Sequence, residues 1–325
     1  MKILQRLIRL SGCWFNGLLV LAIISVSSCV VTDRMVFEPI HNAALKGDID
    51  KIKKLLAEGV DVNVAQKYDR RTPLHFASSR GHVEVVEILI ANGAKVNAKN
   101  RFKNTALHAA ADEGHAEVAD ILLSNGADVD AKNQCCTPLI LASYKGHTAV
   151  VKLLLSKGAD IKATDNGARS SLYYSVKYGH PEITTILLNN GIDVNSRDKF
   201  GTPLHVAVNN NDYVQSELLL NKDADIEART NHGDTALALA SDRGYQSIVK
   251  LLVEHGANVA TSNEMKNTPI FLSSFQGHYA VVEFLIKKGA PVNVKNSDGD
   301  TPLIAAIREG HRKVEKLLRE HGAIE

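Results

Sequence analysis

The sequence predicts an all-α repeat solenoid of about nine units. Three observations predict it. A four-residue phrase beginning with a hydroxyl residue recurs at a nearly fixed interval through the 325-residue chain. Each phrase is followed by the same order of glycines and apolar pairs. Aromatic content is only 5% against 45% hydrophobic residues, so small aliphatic side chains must build the core. A fixed period of 20–50 residues marks an array of stacked supersecondary units rather than one globular core.

The chain opens on three features of an export signal. Lys2, Arg6 and Arg9 are basic with no acid in residues 1–28, and an apolar run is densest from Gly17 to Val26. Val26-Ser27-Ser28-Cys29 then closes the segment with small residues and a cysteine. The run is short for a membrane span, which needs about 20 apolar residues, and matches a secretory signal. Its ending resembles the lipobox of bacterial lipoproteins, with Val26 and Ser28 at positions where Leu and Gly or Ala are commoner. That resemblance implies cleavage before Cys29 and lipidation of its sulfur. Residues 1–28 are therefore expected to be a signal peptide and residues 29–37 a short tether. The expected place is the bacterial envelope, lipid-anchored and facing the periplasm. A plain signal peptide, an uncleaved anchor and a secreted product are the alternatives.

The repeat domain is expected over 38–325. Its units start near Glu38, Thr72, Thr105, Thr137, Ser170, Thr202, Thr235, Thr268 and Thr301. The second unit shows the logic. Thr72 can cap a helix and Pro73 suits its first position. Leu74 and Ala77 share a face, and Gly81 ends the helix in a left-handed conformation. A second helix carries the apolar stripe Val85, Val86, Leu89, Ile90 and ends at Gly93. A turn-rich link, AKVNAKNRFKN, leads to the next unit. Val150, Val151, Leu154, Leu155 and Val281, Val282, Leu285, Ile286 repeat the stripe.

These motifs (TPLH, the following GH, the apolar pairs, GA and V-N/D) resemble ankyrin repeats over about residues 38–325. The resemblance implies two antiparallel helices and a β-hairpin finger per unit, stacked into a curved slab that binds proteins on its concave face. Lys51, Lys53, Lys54 and Glu58 in the first unit look like a polar cap. So do Arg312, Lys313, Glu315, Lys316, Arg319 and Glu320 in the last, and the array is expected to be complete. The sixth unit departs: Asn211 and Asp223 replace Gly, Asp212 replaces His, and Gln215 and Ser216 replace an apolar pair. A soft joint is expected near residues 209–224.

Thr72 to His82 holds hydroxyls and two histidines, a plausible inventory for catalysis or a metal. Periodicity argues otherwise. Ten of the thirteen histidines fall at two repeat positions: His41, His75, His108 and His205 end the TPLH-like phrase, while His82, His115, His147, His180, His278 and His311 follow the glycine. Catalysis needs its group once. Helix layers ~8–10 Å apart cannot bring ligands around one zinc. Structural hydrogen bonds between units are expected instead. No Gly-rich phosphate loop, G-x-S-x-G or isolated His/Cys/Asp cluster occurs, so no catalytic residue, cofactor or metal is expected. Outside residues 1–28 the charge is 35 basic against 36 acidic residues. Such balance disfavours nucleic acid, which wants a basic stripe.

The resemblance places partner contacts on the two residues before each GH glycine and on the finger tips. The first set is Ser79-Arg80, Asp112-Glu113, Tyr144-Lys145, Lys177-Tyr178, Asn209-Asn210, Asp242-Arg243, Phe275-Gln276 and Arg308-Glu309. They vary from unit to unit while the scaffold beside them does not. Tyr144, Lys145, Lys177 and Tyr178 should adjoin on neighbouring units, with Phe102 and Phe200 added by the fingers. Aromatic and basic side chains dominate interface hot spots. Tyr173 and Tyr174 are expected to fill space in the degenerate SSLY phrase. Cys135 and Cys136, adjacent at a finger tip, leave a redox role open. The expectation is a monomeric, non-enzymatic module that binds a protein as adaptor, inhibitor or immunity-type factor. The alternatives are a secreted effector engaging host proteins and a cryptic enzyme.

Overall fold

The structure, a computed structural model, describes residues 38–325. The export signal, Cys29 and the tether lie outside the described residues. Among the described residues eighteen helices follow one another in pairs: α1 (Pro39–Lys46), α2 (Ile49–Ala57), α3 (Pro73–Ser79), α4 (Val83–Ala91), α5 (Ala106–Glu113), α6 (Ala116–Ser124), α7 (Pro138–Lys145), α8 (Thr148–Ser156), α9 (Ser171–Lys177), α10 (Pro181–Asn189), α11 (Pro203–Asn209), α12 (Tyr213–Leu220), α13 (Ala236–Asp242), α14 (Gln246–Glu254), α15 (Pro269–Phe275), α16 (Tyr279–Lys287), α17 (Pro302–Arg308) and α18 (Arg312–Glu320). Odd helices pack on odd ones and even on even, so each unit touches chiefly its neighbours. One apolar core runs from Ile40 to Ala323. The expected stripes supply it: Val85, Val86 and Leu89 are buried, and so are Val150, Val151, Leu154 and Val281, Val282, Leu285.

The two histidine sets stitch the layers in opposite directions. The TPLH-like set reaches forward: His75 Nε2 lies 2.9 Å from the Asn104 carbonyl, and His205 Nε2 3.2 Å from that of Asp234. The post-glycine set reaches back: His147 Nε2 lies 3.0 Å from the Asp112 carbonyl and His311 Nε2 2.9 Å from that of Phe275. The glycine makes room for this second contact. A Cβ on Gly114 would sit 2.5 Å from His147 Nδ1, and Gly114 holds φ +82. Helix termination and the bare surface a histidine ring needs thus fall on one residue.

The caps are split between two devices. Ser170, Thr235 and Thr268 accept the amides of Tyr173, Ala238 and Phe271 at 3.2–3.3 Å. At Thr72 and Thr202 the histidine three residues on takes part: the threonine amide donates to its Nδ1 at 3.2 Å.

The fingers are tighter than the expected hairpins: among the described residues no strand forms, and isolated bridges pair Thr164 with Ser170 and Asp198 with Gly201. A backbone bond closes the turn, as the Asn100 amide donates to the Asn104 carbonyl at 2.9 Å. A side chain reinforces it, as Asn100 Oδ1 accepts the amides of Phe102 (2.8 Å) and Asn104 (3.0 Å). The expected polar residues of the last unit lie along α18, where Arg312, Lys313, Lys316, Arg319 and Glu320 are exposed. On α17, Ile307 is 39% exposed, and the corresponding Ser78, Ala111 and Ser143 are buried under the next unit.

The sixth unit carries the expected irregularities. Asn211 and Asp223 hold φ +55 and +60. Gln215 is fully buried; its Nε2 donates to the Ser175 carbonyl at 3.3 Å, while its Oε1 has no partner. Asp212 caps α12 through the Gln215 amide at 3.0 Å in place of the histidine stitch.

Candidate functional site

The face to examine is the edge where the odd helices end. Left-handed glycines stop these helices one residue after the paired variable positions, so those side chains project beyond the packed layer. Arg80, Glu113, Asn209, Asn210, Arg243, Gln276, Arg308 and Glu309 are exposed there. Ser79, Asp112, Tyr144, Lys145, Lys177 and Asp242 are half-buried, and Phe275 and Tyr178 are each 37% exposed. Neighbouring units do meet along this edge. Lys145 Nζ lies 3.4 Å from Asp112 Oδ1, Asn210 Nδ2 donates to the Lys177 carbonyl at 2.8 Å, and Gln276 Nε2 donates to Asp242 Oδ1 at 3.0 Å.

The middle of the edge is aromatic. Tyr144 at the end of α7 meets Tyr178 just beyond α9, ring centroids 4.6 Å apart and interplanar angle 78°. Tyr174 completes the group. It lies 5.9 Å from Tyr144 and stacks parallel to Tyr178 at 6.4 Å. Edge-to-face and offset pairs of this kind suit the ring quadrupoles. Lys145 Nζ sits 5.4 Å from the Tyr144 centroid, within cation–π range. Tyr173 is a filler as expected, buried at 7% exposure. Tyr174 is not: it is one of the three rings. Phe102 and Phe200 are exposed on their fingers, but among the described residues no ring contact joins them to the cluster.

A buried ion pair holds the cluster from behind. Asp165 is the fifth finger's counterpart of Asn100 and accepts the amides of Gly167 (2.7 Å) and Arg169 (2.9 Å). Its second oxygen receives Arg169 Nε and the Tyr174 hydroxyl, both at 2.8 Å. Burial opposes ionisation of Asp165, but the hydrogen bonds from Arg169 outweigh it and keep the carboxyl below its ordinary pKa. Burial, then the Asp165 contact, push the Tyr174 phenol far up. Burial and the neighbouring Tyr144 push Tyr178 up to about 12. The Tyr174 and Tyr178 phenols therefore stay neutral at any physiological pH. Sequence reading passed over Asp165 and Arg169. Their signal was an Asp five residues before the Ser170 cap, where Asn100 and Asn133 stand in other fingers, joined to an Arg four residues on.

The cysteine pair sits nearby as finger scaffold. Cys135 and Cys136 both donate their amides to Asn133 Oδ1, at 2.6 and 2.7 Å, and the Cys136 carbonyl faces His108 Nε2 at 3.3 Å. Among the described residues no group of three or more His, Cys, Asp or Glu could hold a metal ion. No helix among them is long and apolar enough to cross a membrane.

The model of the family "Ankyrin repeats (3 copies)" matches residues 40–133, 131–198, 197–263 and 259–324. The chain belongs to the ankyrin repeat family. Among solved structures it is similar to the human ASB11 ankyrin repeat domain, at 28% identity and a TM-score of 0.62, over 68% of this chain and 99% of that one. No curated protein matches it. Ankyrin repeats generally mediate protein–protein contacts.

Proposed function

We propose that this ankyrin array captures a protein partner on its variable edge, with Tyr144, Tyr174 and Tyr178 as the anchor. The carrying observation is the cluster's construction. Three phenols from two units converge at a half-exposed point and are fixed from behind by the Asp165–Arg169 pair. Rigid aromatic side chains give large contact area with little entropy left to lose, the property of binding hot spots. Along the same edge, Arg80, Glu113, Asn209 and Arg243 of the flanking units are exposed polar groups that suit an interface rim. We further propose that the array is an envelope lipoprotein held through Cys29, acting as an adaptor, inhibitor or immunity-type factor without chemistry of its own.

The test is capture by the full chain from an envelope extract, wild type against Tyr144→Ala/Tyr178→Ala. Hot-spot truncations cost at least ~2 kcal/mol each, so the double variant should lose its specific partner by roughly 100-fold or more. Thermal unfolding must stay close to wild type, since both rings are partly exposed. Undiminished capture by a folded double variant moves the site away from the cluster.

A further inference from the structure

The balanced charge of the whole domain hides a local excess. The tips of the second, third and fourth fingers expose Lys67, Arg70, Lys99, Arg101, Lys103 and Lys132. Asp69 is the acid at these tips and is paired with Arg71, while Asp61, Asp128 and Asp130 lie at the bases of the fingers. Tyr68 and Phe102 stand among the cations at 54% and 40% exposure. The seventh to ninth finger tips are mixed, with Asp234, Glu264, Asp298 and Asp300 against Arg229, Lys266 and Lys295. The basic tips form one surface. The Arg101 amide donates to the Asp69 carbonyl at 2.7 Å, and the Gln134 amide to that of Phe102 at 3.2 Å. The turns are rigid as well, Lys103 holding φ +62 above the Asn100 bonds.

We propose that these three finger tips dock on an anionic phospholipid surface. Exposed rings between long cations match a membrane interface: the rings enter the headgroup layer while the ammonium and guanidinium groups snorkel to the phosphates. The patch lies outside the tyrosine cluster, on projecting tips rather than on the edge that suits a folded partner. It also belongs to the end of the array that follows the N-terminal segment. The choice of a bilayer rests on reading residues 1–29 as an export and anchoring signal. From Val30 to Phe37 the chain spans at most about 29 Å, which keeps the early fingers within reach of that surface. Docked so, the array would lie with its early finger tips against the bilayer and its later finger tips, where acids offset the cations, turned away.

The experiment uses the full chain carrying Trp14→Phe and one reporter, Phe102→Trp, with vesicles whose lipids bear brominated acyl chains. Vesicles are either phosphatidylcholine alone or about one third phosphatidylglycerol. The reporter should be quenched only with phosphatidylglycerol present, and quenching should vanish at about 0.5 M salt. Lys99→Gln/Arg101→Gln/Lys103→Gln should lower the docking constant by roughly 100-fold. A Met265→Trp reporter on the eighth finger should remain unquenched in the same vesicles. Equal quenching without phosphatidylglycerol overturns the proposal. So does an unquenched Phe102→Trp chain that still floats with the vesicles, a result that leaves the anchor intact. A chain that neither floats nor quenches overturns both readings. Polyglutamate binding without vesicle quenching, removed by the triple substitution, reassigns the patch to an acidic polypeptide.

Discussion

At the scale of single residues, the buried histidines make this fold sensitive to acid. Burial lowers the pKa of His41, His75 and His205, and that of His108 to about 4, in each case against the pull of a carbonyl partner. The geometry agrees. Nε2 of His75 must donate to the Asn104 carbonyl, so Nδ1 is the acceptor that the Thr72 amide needs. A second proton would turn that acceptor into a donor. A histidine whose folded pKa lies below the unfolded 6.5 contributes its full stability above pH 6.5. The contribution is lost as pH falls toward the folded pKa, because the unfolded chain takes up protons first. For His108 the window runs from 6.5 to about 4. It corresponds to ~3 kcal/mol at 1.36 kcal/mol per unit. Chemical denaturation at pH 7.5 and pH 5 should show wild type losing several kcal/mol, and His108→Gln losing about 2 kcal/mol less across that interval. Equal losses would mean that His108 is not neutral in the fold. The periodicity made these histidines legible as scaffold, since a group repeated at every unit cannot be a single catalytic site. It did not disclose that one set reaches forward and the other back. That depends on which carbonyl each ring meets, which no spacing states.

At the scale of the helix pair, the sixth unit is the weak place in the stack. Its α12 buries Gln215 and Ser216 where α10 buries Ile183 and Thr184, and α14 buries Ile248 and Val249. The Gln215 amide satisfies its nitrogen and not its oxygen, and a buried orphan acceptor costs about 1–3 kcal/mol. Asn211 and Asp223 add left-handed strain that glycine avoids elsewhere. A solenoid's stability is close to a sum of units and interfaces, so such costs stay local. Amides of α11 and α12 should exchange faster than those of α5 to α8. Gln215→Ile, the residue type at Ile183 and Ile248, should slow them and raise stability by about 1 kcal/mol. Exchange that is uniformly slow across the inner units in wild type would remove the joint. This irregularity was readable because the other eight units supply the template it violates. How far each finger pairs was not readable, because a single closed turn and a short ladder share their residues and only backbone geometry separates them. The Asp165–Arg169 pair escaped notice because a charged variant of a repeated Asn looks like drift until Tyr174 is seen to reach it.

At the scale of the whole molecule, the array carries basic finger tips in its early units and a tyrosine cluster in its middle. Its order follows from the period, and its polarity does not, because exposed residues answer to no packing rule. The N-terminal end would be set by Cys29. A diacylglyceryl group together with a second acyl chain anchors stably, since each buried CH₂ contributes ~0.8 kcal/mol and one chain alone binds only reversibly. Eight residues then separate the anchor from the first unit, too few for the array to search far from its membrane. The mass of the natural N-terminus, taken with fractionation for wild type and Cys29→Ser, decides this. Wild type should begin at a lipidated Cys29 and sediment with the envelope, and Cys29→Ser should lose the modification and leave that fraction. The partner of the tyrosine cluster would then be sought only among proteins exposed at that membrane surface. An unmodified Cys29, with cleavage elsewhere or none, would release the array from this short radius. It would also favour a secreted product and a partner outside the producing cell.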